Sequence, residues 1–94
     1  MYTVSLKSKA SRFIKKQSPE IQSQLLDAID TLKINPLSDQ SITLKGKPEF
    51  RRIRSGEYRI VYYVVPDQPE VLVLKIGNRR DVYDRVKKIK VPGS

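Results

Sequence analysis

The chain has 94 residues, a formal net charge of +9, and neither cysteine nor histidine. A chain of this length buries only about 60 to 65 per cent of its unfolded surface, so we expect a single domain over residues 1–94. The missing residue types exclude disulfide bonds, thiolate nucleophiles and imidazole bases, and they argue against an ordinary zinc site. Any catalysis must use other side chains, and we expect neither a cofactor nor a bound metal.

The start of the chain does not resemble a secretory signal, because basic residues interrupt it repeatedly between Lys7 and Lys16. The longest apolar run, Ile60 to Val65, is far too short to cross a bilayer. We therefore expect a cytoplasmic protein with no membrane partner.

The positive charge is concentrated in two segments. Residues 45–59 carry six basic and two acidic side chains, and residues 75–94 carry seven basic and two acidic ones. A basic surface of this kind favours a polyanion such as a nucleic acid, and counterion release would make the binding depend strongly on salt. The alternative is a lysine-rich exterior that only maintains solubility.

The first half of the chain predicts a strand followed by two helices. Apolar residues alternate from Tyr2 to Leu6, which is typical of a half-buried strand. Ser8 is a candidate N-cap for a first helix, and Ser18-Pro19-Glu20 is typical of the start of a second. Apolar residues then recur at intervals of three and four until Asn35-Pro36. The two helices should form a hairpin that packs on a sheet.

In the second half of the chain, the residue pattern becomes typical of β-strands. Three segments rich in branched and aromatic residues predict strands over Phe50–Arg54, Tyr58–Val65 and Val71–Ile76. A polar loop from Pro36 to Thr43 precedes them, tight turns make them an antiparallel meander, and Asp81–Lys90 should form a helix. The predicted class is α+β, with an N-terminal strand and a helical hairpin packed on a small antiparallel sheet, and a C-terminal helix.

The predicted strands carry several arginines. Because strand side chains alternate, Arg52 and Arg54 share one side while Arg51 lies on the other. Whether Arg59 faces the first two depends on the hairpin register, which the sequence leaves open. Arg59 could instead form a structural ion pair with Glu49 or Glu57.

Arginines near a tyrosine can cleave RNA without a metal. RNA supplies its own nucleophile, the 2′-hydroxyl, so an enzyme need only align it, remove its proton, and stabilise charge on the phosphate and the leaving oxygen. Guanidiniums match phosphate oxygens in bidentate geometry. A tyrosine could act as the base if positive charge nearby lowered its pKa from about 10. Tyr83 follows Arg79 and Arg80 closely enough for this.

Two stretches resemble the RelE/ParE superfamily of bacterial and archaeal toxins. The first contains Gly56-Glu57-Tyr58-Arg59-Ile60-Val61-Tyr62, and the second contains Ile76-Gly77-Asn78-Arg79 followed by Val82-Tyr83. The resemblance covers essentially the whole chain. It implies a RelE-like fold and, in the RelE-like branch, a ribosome-dependent endonuclease that cuts messenger RNA in the ribosomal A site and leaves a cyclic phosphate.

The same resemblance implies a catalytic set of Arg52, Arg54, Arg59, Arg79 and Tyr83. In it, Arg52 and Arg54 would hold and activate the scissile region, and Arg59 would stabilise the phosphate. Arg79 would be the acid, and Tyr83 would be the base or a stacking partner. The residues expected to bind RNA through its phosphates are Lys45, Lys47, Arg51, Lys75 and Arg80.

The resemblance also implies partners. These are a cognate antitoxin, the ribosome with its messenger RNA, and operator DNA that is contacted only through the antitoxin. A ParE-like inhibitor of DNA gyrase without nuclease activity is the main alternative, and an inactive, antitoxin-bound corepressor is another. The arginine and tyrosine set favours the nuclease. The choice between Arg79 and Arg80 as the active arginine stays open.

Overall fold

The computed structural model describes residues 1–78. In chain order they form β1 (Thr3–Leu6), α1 (Ser8–Lys15), α2 (Pro19–Ile34), β2 (Ile42–Leu44), β3 (Lys47–Ser55), β4 (Tyr58–Val64) and β5 (Glu70–Asn78). The α+β class is therefore confirmed. The helix predicted over Asp81–Lys90 lies outside the described residues, as do Arg79, Arg80 and Tyr83.

The strands form one sheet in the order β1-β5-β4-β3-β2. The antiparallel meander of β3, β4 and β5 is confirmed. The predicted polar loop from Pro36 to Thr43 was wrong at its end, because Ile42 and Thr43 pair with β3 as part of β2. Three residues are too few to show an alternating pattern. The sheet is also not purely antiparallel, because β1 lies parallel to β5 at its edge.

The two helices begin differently. The prediction of Ser8 as N-cap was wrong: Lys7 is the N-cap, with extended backbone and no side-chain cap, and its N–H donates to the Val73 carbonyl at 2.9 Å. In α2 the predicted cap is confirmed, because the Ile21 N–H donates to Ser18 Oγ at 3.4 Å. Neither helix within residues 1–78 has the length and apolar character needed to cross a bilayer.

The sheet has an apolar cluster on each face. Both helices pack on one face, where Leu25 and Leu32 of α2 meet Ile60 and other buried strand residues. Within residues 1–78, the buried members of the second cluster all come from strands: Leu44, Phe50, Val61, Tyr63 and Leu74. Because side chains alternate along a strand, this cluster lies on the face opposite the helices. We call these the helix face and the opposite face.

Buried hydrogen bonds fix the loop between α2 and β2 to the helix face. The Tyr62 hydroxyl donates to the Pro36 carbonyl, so the Ser41 hydroxyl donates in its contact with the Tyr62 oxygen. Arg51 Nε donates to Ser41 Oγ at 2.7 Å. Burial raises the pKa of Tyr62, since it disfavours the phenolate, although the Ser41 hydrogen bond and Arg51 act in the opposite direction. The hydroxyl therefore stays protonated at neutral pH and remains a donor.

Candidate functional site

The register of the β3–β4 hairpin brings three arginines together. Arg54 lies directly opposite Arg59, and Arg52 lies opposite Val61, which belongs to the opposite-face cluster. All three arginines therefore point to the opposite face, and we call them the arginine cluster. The sequence left open whether Arg59 shares a face with Arg52 and Arg54, and the register shows that it does. Like charges directly opposite each other on a sheet are destabilising, so this arrangement disfavours folding unless an anion is bound.

A two-residue turn supports the arginine cluster. Gly56 and Glu57 connect the pair Ser55 and Tyr58, and Gly56 has a φ of +59°. Among the two turn residues, only Gly56 has a positive φ, which is the pattern of a type II′ turn with glycine first. A side chain at this position would be strained. The turn thus fixes how the two strands that carry the arginines meet.

Helix α2 contacts this turn through Gln24. Its side-chain Nε2 donates to the Ser55 carbonyl at 3.1 Å and to Ser55 Oγ at 3.2 Å. Gly56 lies so near that a Cβ built on it would be 2.7 Å from Gln24 Nε2. The turn is therefore held against α2 by hydrogen bonds and close packing.

Arg59 is buried, with 6% of its surface exposed. Its Nη1 donates to the Tyr58 carbonyl at 3.2 Å and to the Gly56 carbonyl at 3.4 Å. The alternative ion pair of Arg59 with Glu49 or Glu57 was wrong, because among the described residues neither carboxylate forms a salt bridge with this guanidinium. Backbone carbonyls hold this guanidinium without neutralising it. As far as residues 1–78 are concerned, the charge of Arg59 is available to an anion.

A pocket of about 480 Å³ opens beside the turn and is lined by Arg54, Gly56, Glu57, Arg59 and Asn78. Asn78 is the last residue of β5 and pairs with Tyr58, which follows the turn. The volume lies within the roughly 300–1,000 Å³ of small-molecule sites. Among residues 1–78, two guanidiniums and one carboxylate line the pocket, so this part of its wall carries excess positive charge.

The other basic residues predicted to bind RNA occupy different places. Lys75 lies opposite Val61 on β5 and is buried, while Lys45 is exposed in the turn between β2 and β3. The Lys47 Nζ lies 6.0 Å from the centre of the Phe50 ring on the opposite face. Arg51 is not brought to the arginine cluster. Its guanidinium contacts both the hydroxyl and the carbonyl of Ser41.

Sequence reasoning missed Gln24 and Ser55. Gln24 is one of several polar residues on α2, and its contact with Ser55 joins residues 31 positions apart. No local spacing indicates such a contact. Within residues 1–78, no group of three or more histidine, cysteine, aspartate or glutamate side chains could hold a metal ion.

The fold, a five-stranded sheet with two helices on one face, is similar to that of solved RelE toxins. The family described as the ParE toxin of type II toxin-antitoxin system, parDE, matches residues 4–83. The chain therefore belongs to this toxin family.

Individual relatives agree with this assignment. Toxin RelG of Mycobacterium tuberculosis is 30% identical over 90 residues, which cover 89% of this chain and 98% of RelG. Among solved structures, a free E. coli RelE toxin with two arginines replaced by alanine is similar, with a TM-score of 0.76 and 26% identity over 95% of this chain and 98% of that chain. The toxin-antitoxin complex RelBE2 of M. tuberculosis gives a TM-score of 0.73 and 25% identity, over 83% and 98% of the two chains. The predicted RelE/ParE-type fold is confirmed.

Proposed function

We propose that this toxin is a ribosome-dependent endoribonuclease that cuts messenger RNA in the ribosomal A site and thereby inhibits translation. The observation that supports this most is the cross-strand position of Arg54 and Arg59, with Arg52 on the same face. Guanidiniums are permanently charged and match the phosphate oxygens of a polynucleotide in bidentate geometry. A phosphate bound there would also remove the unfavourable repulsion between them.

In the proposed reaction the 2′-hydroxyl of one nucleotide attacks the adjacent phosphorus, and the bond to the 5′-oxygen of the next nucleotide breaks. The products are a 2′,3′-cyclic phosphate and a free 5′-hydroxyl. Arg59 stabilises the negative charge that develops on the non-bridging oxygens, because its carbonyl contacts hold it in place before the substrate arrives. Arg52 and Arg54 bind the neighbouring backbone and align the 2′-oxygen for in-line attack.

Two proton transfers complete the reaction. A base removes the 2′-hydroxyl proton, and an acid protonates the leaving 5′-oxygen. We assign these roles to Tyr83 and Arg79, with Arg80 as the alternative acid. All three lie outside the described residues, so these assignments rest on the family resemblance.

Dependence on the ribosome follows from the small size of the site. The three arginines can hold phosphates, but single-stranded RNA in solution does not keep the in-line geometry that cleavage needs. A ribosome that presents the codon would supply this geometry. Lys45 and Lys47 would contact the polyanionic RNA around the site, with Arg80 as a further candidate, whereas Lys75 is buried. We omit Arg51 from the proposed RNA surface because Ser41 binds its guanidinium.

We further propose that a cognate antitoxin silences the toxin. The RelBE2 structure of M. tuberculosis is a toxin-antitoxin complex. An acidic, flexible antitoxin segment could cover the arginine cluster, because folding on binding allows a short segment to cover a large surface. Operator DNA would be contacted through the antitoxin.

Inhibition of DNA gyrase without RNA cleavage is the second candidate function. The matching family is named for ParE and the parDE system, and this favours it. The arginine cluster favours the nuclease instead, because guanidiniums on one face can stabilise the negative charge that develops on a phosphate during cleavage. An inactive corepressor would retain the fold and the contact with the antitoxin, but it would have no catalytic activity.

A reconstituted translation reaction tests the proposal. Purified toxin is added to ribosomes stalled on a defined messenger, and the cuts are mapped by primer extension for wild type, Arg59→Ala and Arg12→Ala. Arg12 is an exposed arginine on α1 and serves as the control. Cuts in the A-site codon that persist in Arg12→Ala and fall at least about a hundredfold in Arg59→Ala would support the nuclease. Absence of cuts by wild type would overturn it, and a gyrase supercoiling assay would then test the second candidate.

A further inference from the structure

Gln24 is placed to control the turn below the arginine cluster. Its side chain leaves α2 and donates two hydrogen bonds to Ser55, one to the carbonyl and one to the hydroxyl. The Ser55 hydroxyl in turn lies 3.5 Å from the Gln24 backbone carbonyl, to which it donates. This reciprocal contact joins the middle of a helix to the last residue of β3.

The same turn holds Arg59. Ser55 and Tyr58 form the pair that closes the turn, and the carbonyls of Gly56 and Tyr58 accept from Arg59 Nη1. A shift of the turn would therefore move both acceptors together with the guanidinium. The contacts run without interruption from Gln24 through Ser55 and the turn backbone to Arg59.

We propose that Gln24 is a positioning residue for Arg59. By fixing Ser55, it holds the turn carbonyls where they orient the guanidinium toward the opposite face. Its effect on cleavage rests on the proposed nuclease function, whereas its effect on the orientation of Arg59 does not. Rates of reactions that depend on a pre-oriented group are sensitive to small displacements of that group, and a misplacement of about 1 Å can cost roughly a hundredfold.

The chemistry of the contact explains why an amide is needed. Both bonds to Ser55 are donated by Nε2, and Ser55 supplies a carbonyl oxygen and a hydroxyl oxygen as acceptors. Leucine matches the size of glutamine but donates no hydrogen bond. Gln24→Leu therefore removes the contact while it largely retains the volume of the side chain.

Gln22 provides a matched control on the same helix. Its Nε2 also donates to two backbone carbonyls, that of Lys15 at the end of α1 at 3.4 Å and that of Gln17 in the following connection at 3.0 Å. Gln22→Leu therefore makes the same chemical change without touching the β3–β4 turn. The test measures single-turnover cleavage on saturating stalled ribosomes and the ribosome concentration that gives half the maximal rate.

We expect Gln24→Leu to lower the single-turnover rate roughly tenfold without changing the half-saturating ribosome concentration. Gln22→Leu should leave both values near wild type. In an Arg59→Lys background, Gln24→Leu should lower the rate less than about twofold, because the oriented guanidinium is gone. Equal losses for the two glutamine variants, or an unchanged tenfold loss in the Arg59→Lys background, would overturn the proposal.

A spectroscopic measurement separates this inference from the nuclease proposal. The Arg59 Nε–Hε signal is observed by NMR in wild type and in both glutamine variants. It should shift or broaden in Gln24→Leu and stay unchanged in Gln22→Leu, and an unchanged signal in Gln24→Leu would overturn the positioning role even if RNA is cut. A wild type that cuts nothing while this signal responds would overturn only the nuclease. If Gln24→Leu does not fold, Ser55→Ala removes one acceptor of the same contact and is measured in its place.

Discussion

Arg54 and Arg59 lie directly opposite each other across the β3–β4 ladder, on the face of the sheet away from the helices. Arg54 is exposed, whereas Arg59 is buried and held by two backbone carbonyls. Two like charges at this spacing reduce the stability of the fold. The chain therefore retains an unfavourable pair at the place where we propose that an RNA phosphate binds, as expected of a site in which activity and stability conflict.

Replacing Arg54 should therefore stabilise the protein and weaken its activity. We expect Arg54→Ala to raise the free energy of unfolding by about 0.5 kcal/mol at low salt, because the repulsion with Arg59 is removed. Cleavage on the ribosome should fall at least about tenfold. Urea unfolding and the primer-extension assay measure the two effects.

A double-mutant cycle checks whether the predicted gain in stability comes from the repulsion between Arg54 and Arg59. In an Arg59→Ala background, Arg54→Ala should give no gain in stability, because no charge remains opposite it. At about 1 M salt, where screening acts over about 3 Å, the gain in the wild-type background should also disappear. A gain that persists under either condition would mean that repulsion between the two arginines is not its source.

Helices and strands with a clear hydrophobic periodicity could be predicted from the sequence. Elements that depend on pairing between residues far apart in the chain could not. The second helix was recognisable from Ser18-Pro19-Glu20 and its apolar spacing, and the strands of the meander from branched and aromatic residues. The parallel pairing of β1 with β5 joins Thr3 to Glu70, and no local pattern indicates a partner so far along the chain. The three-residue strand β2 was missed for a related reason, since it is recognisable mainly by its pairing with β3.

In the candidate site, too, features set by local sequence could be predicted, and features set by tertiary contacts could not. Strand alternation predicted that Arg52 and Arg54 share a face, but the position of Arg59 depended on a register that the turn at Gly56 determines. The contact of Gln24 with Ser55 could not be predicted, because it requires the packing of α2 on the sheet. Charge density indicated a basic segment suited to a polyanion but could not separate Arg51, which binds Ser41, from its neighbours.

The Tyr62 hydroxyl should contribute to stability and not to catalysis. Tyr62→Phe leaves the Pro36 carbonyl without this donor and the Ser41 hydroxyl without this acceptor, in a buried place. We expect the free energy of unfolding to fall by about 1 to 3 kcal/mol. Cleavage by the folded fraction should stay within about twofold of wild type, because Tyr62 lies on the helix face.

Tyr63→Phe is the matched control for this prediction. Tyr63 is also buried, but it lies on the opposite face, and within residues 1–78 its ring packs edge-on against Phe50. Its variant should lose much less stability, as measured by urea unfolding at the same pH. Equal losses in the two variants would show that the hydrogen bonds of Tyr62 are not what stabilises the loop.

The raised pKa of Tyr62 makes a prediction about alkaline pH. Burial raises this pKa, so the unfolded chain releases the phenolic proton at a lower pH than the folded protein does. The stabilisation is complete below the ordinary pKa of about 10 and is lost as the pH rises from there through the folded value, with a slope of at most about 1.4 kcal/mol per pH unit. Urea unfolding from about pH 8 to 11 should show a steeper loss for wild type than for Tyr62→Phe. Parallel curves would contradict this prediction.

Gly56 should be more sensitive to a side chain than Gly46, although both have positive φ. Gly46, at +82°, has no atom within 4 Å of a Cβ built on it, so Gly46→Ala should cost only backbone strain, about 1 kcal/mol. At Gly56, the new methyl group would also meet Gln24 Nε2 at 2.7 Å. We expect Gly56→Ala to cost at least about 1 kcal/mol more than Gly46→Ala in urea unfolding, because the glutamine must move away from Ser55 and lose its hydrogen bonds. This excess should largely vanish when both glycine variants are compared in a Gln24→Ala background, and an excess that remains would locate the strain elsewhere in the turn.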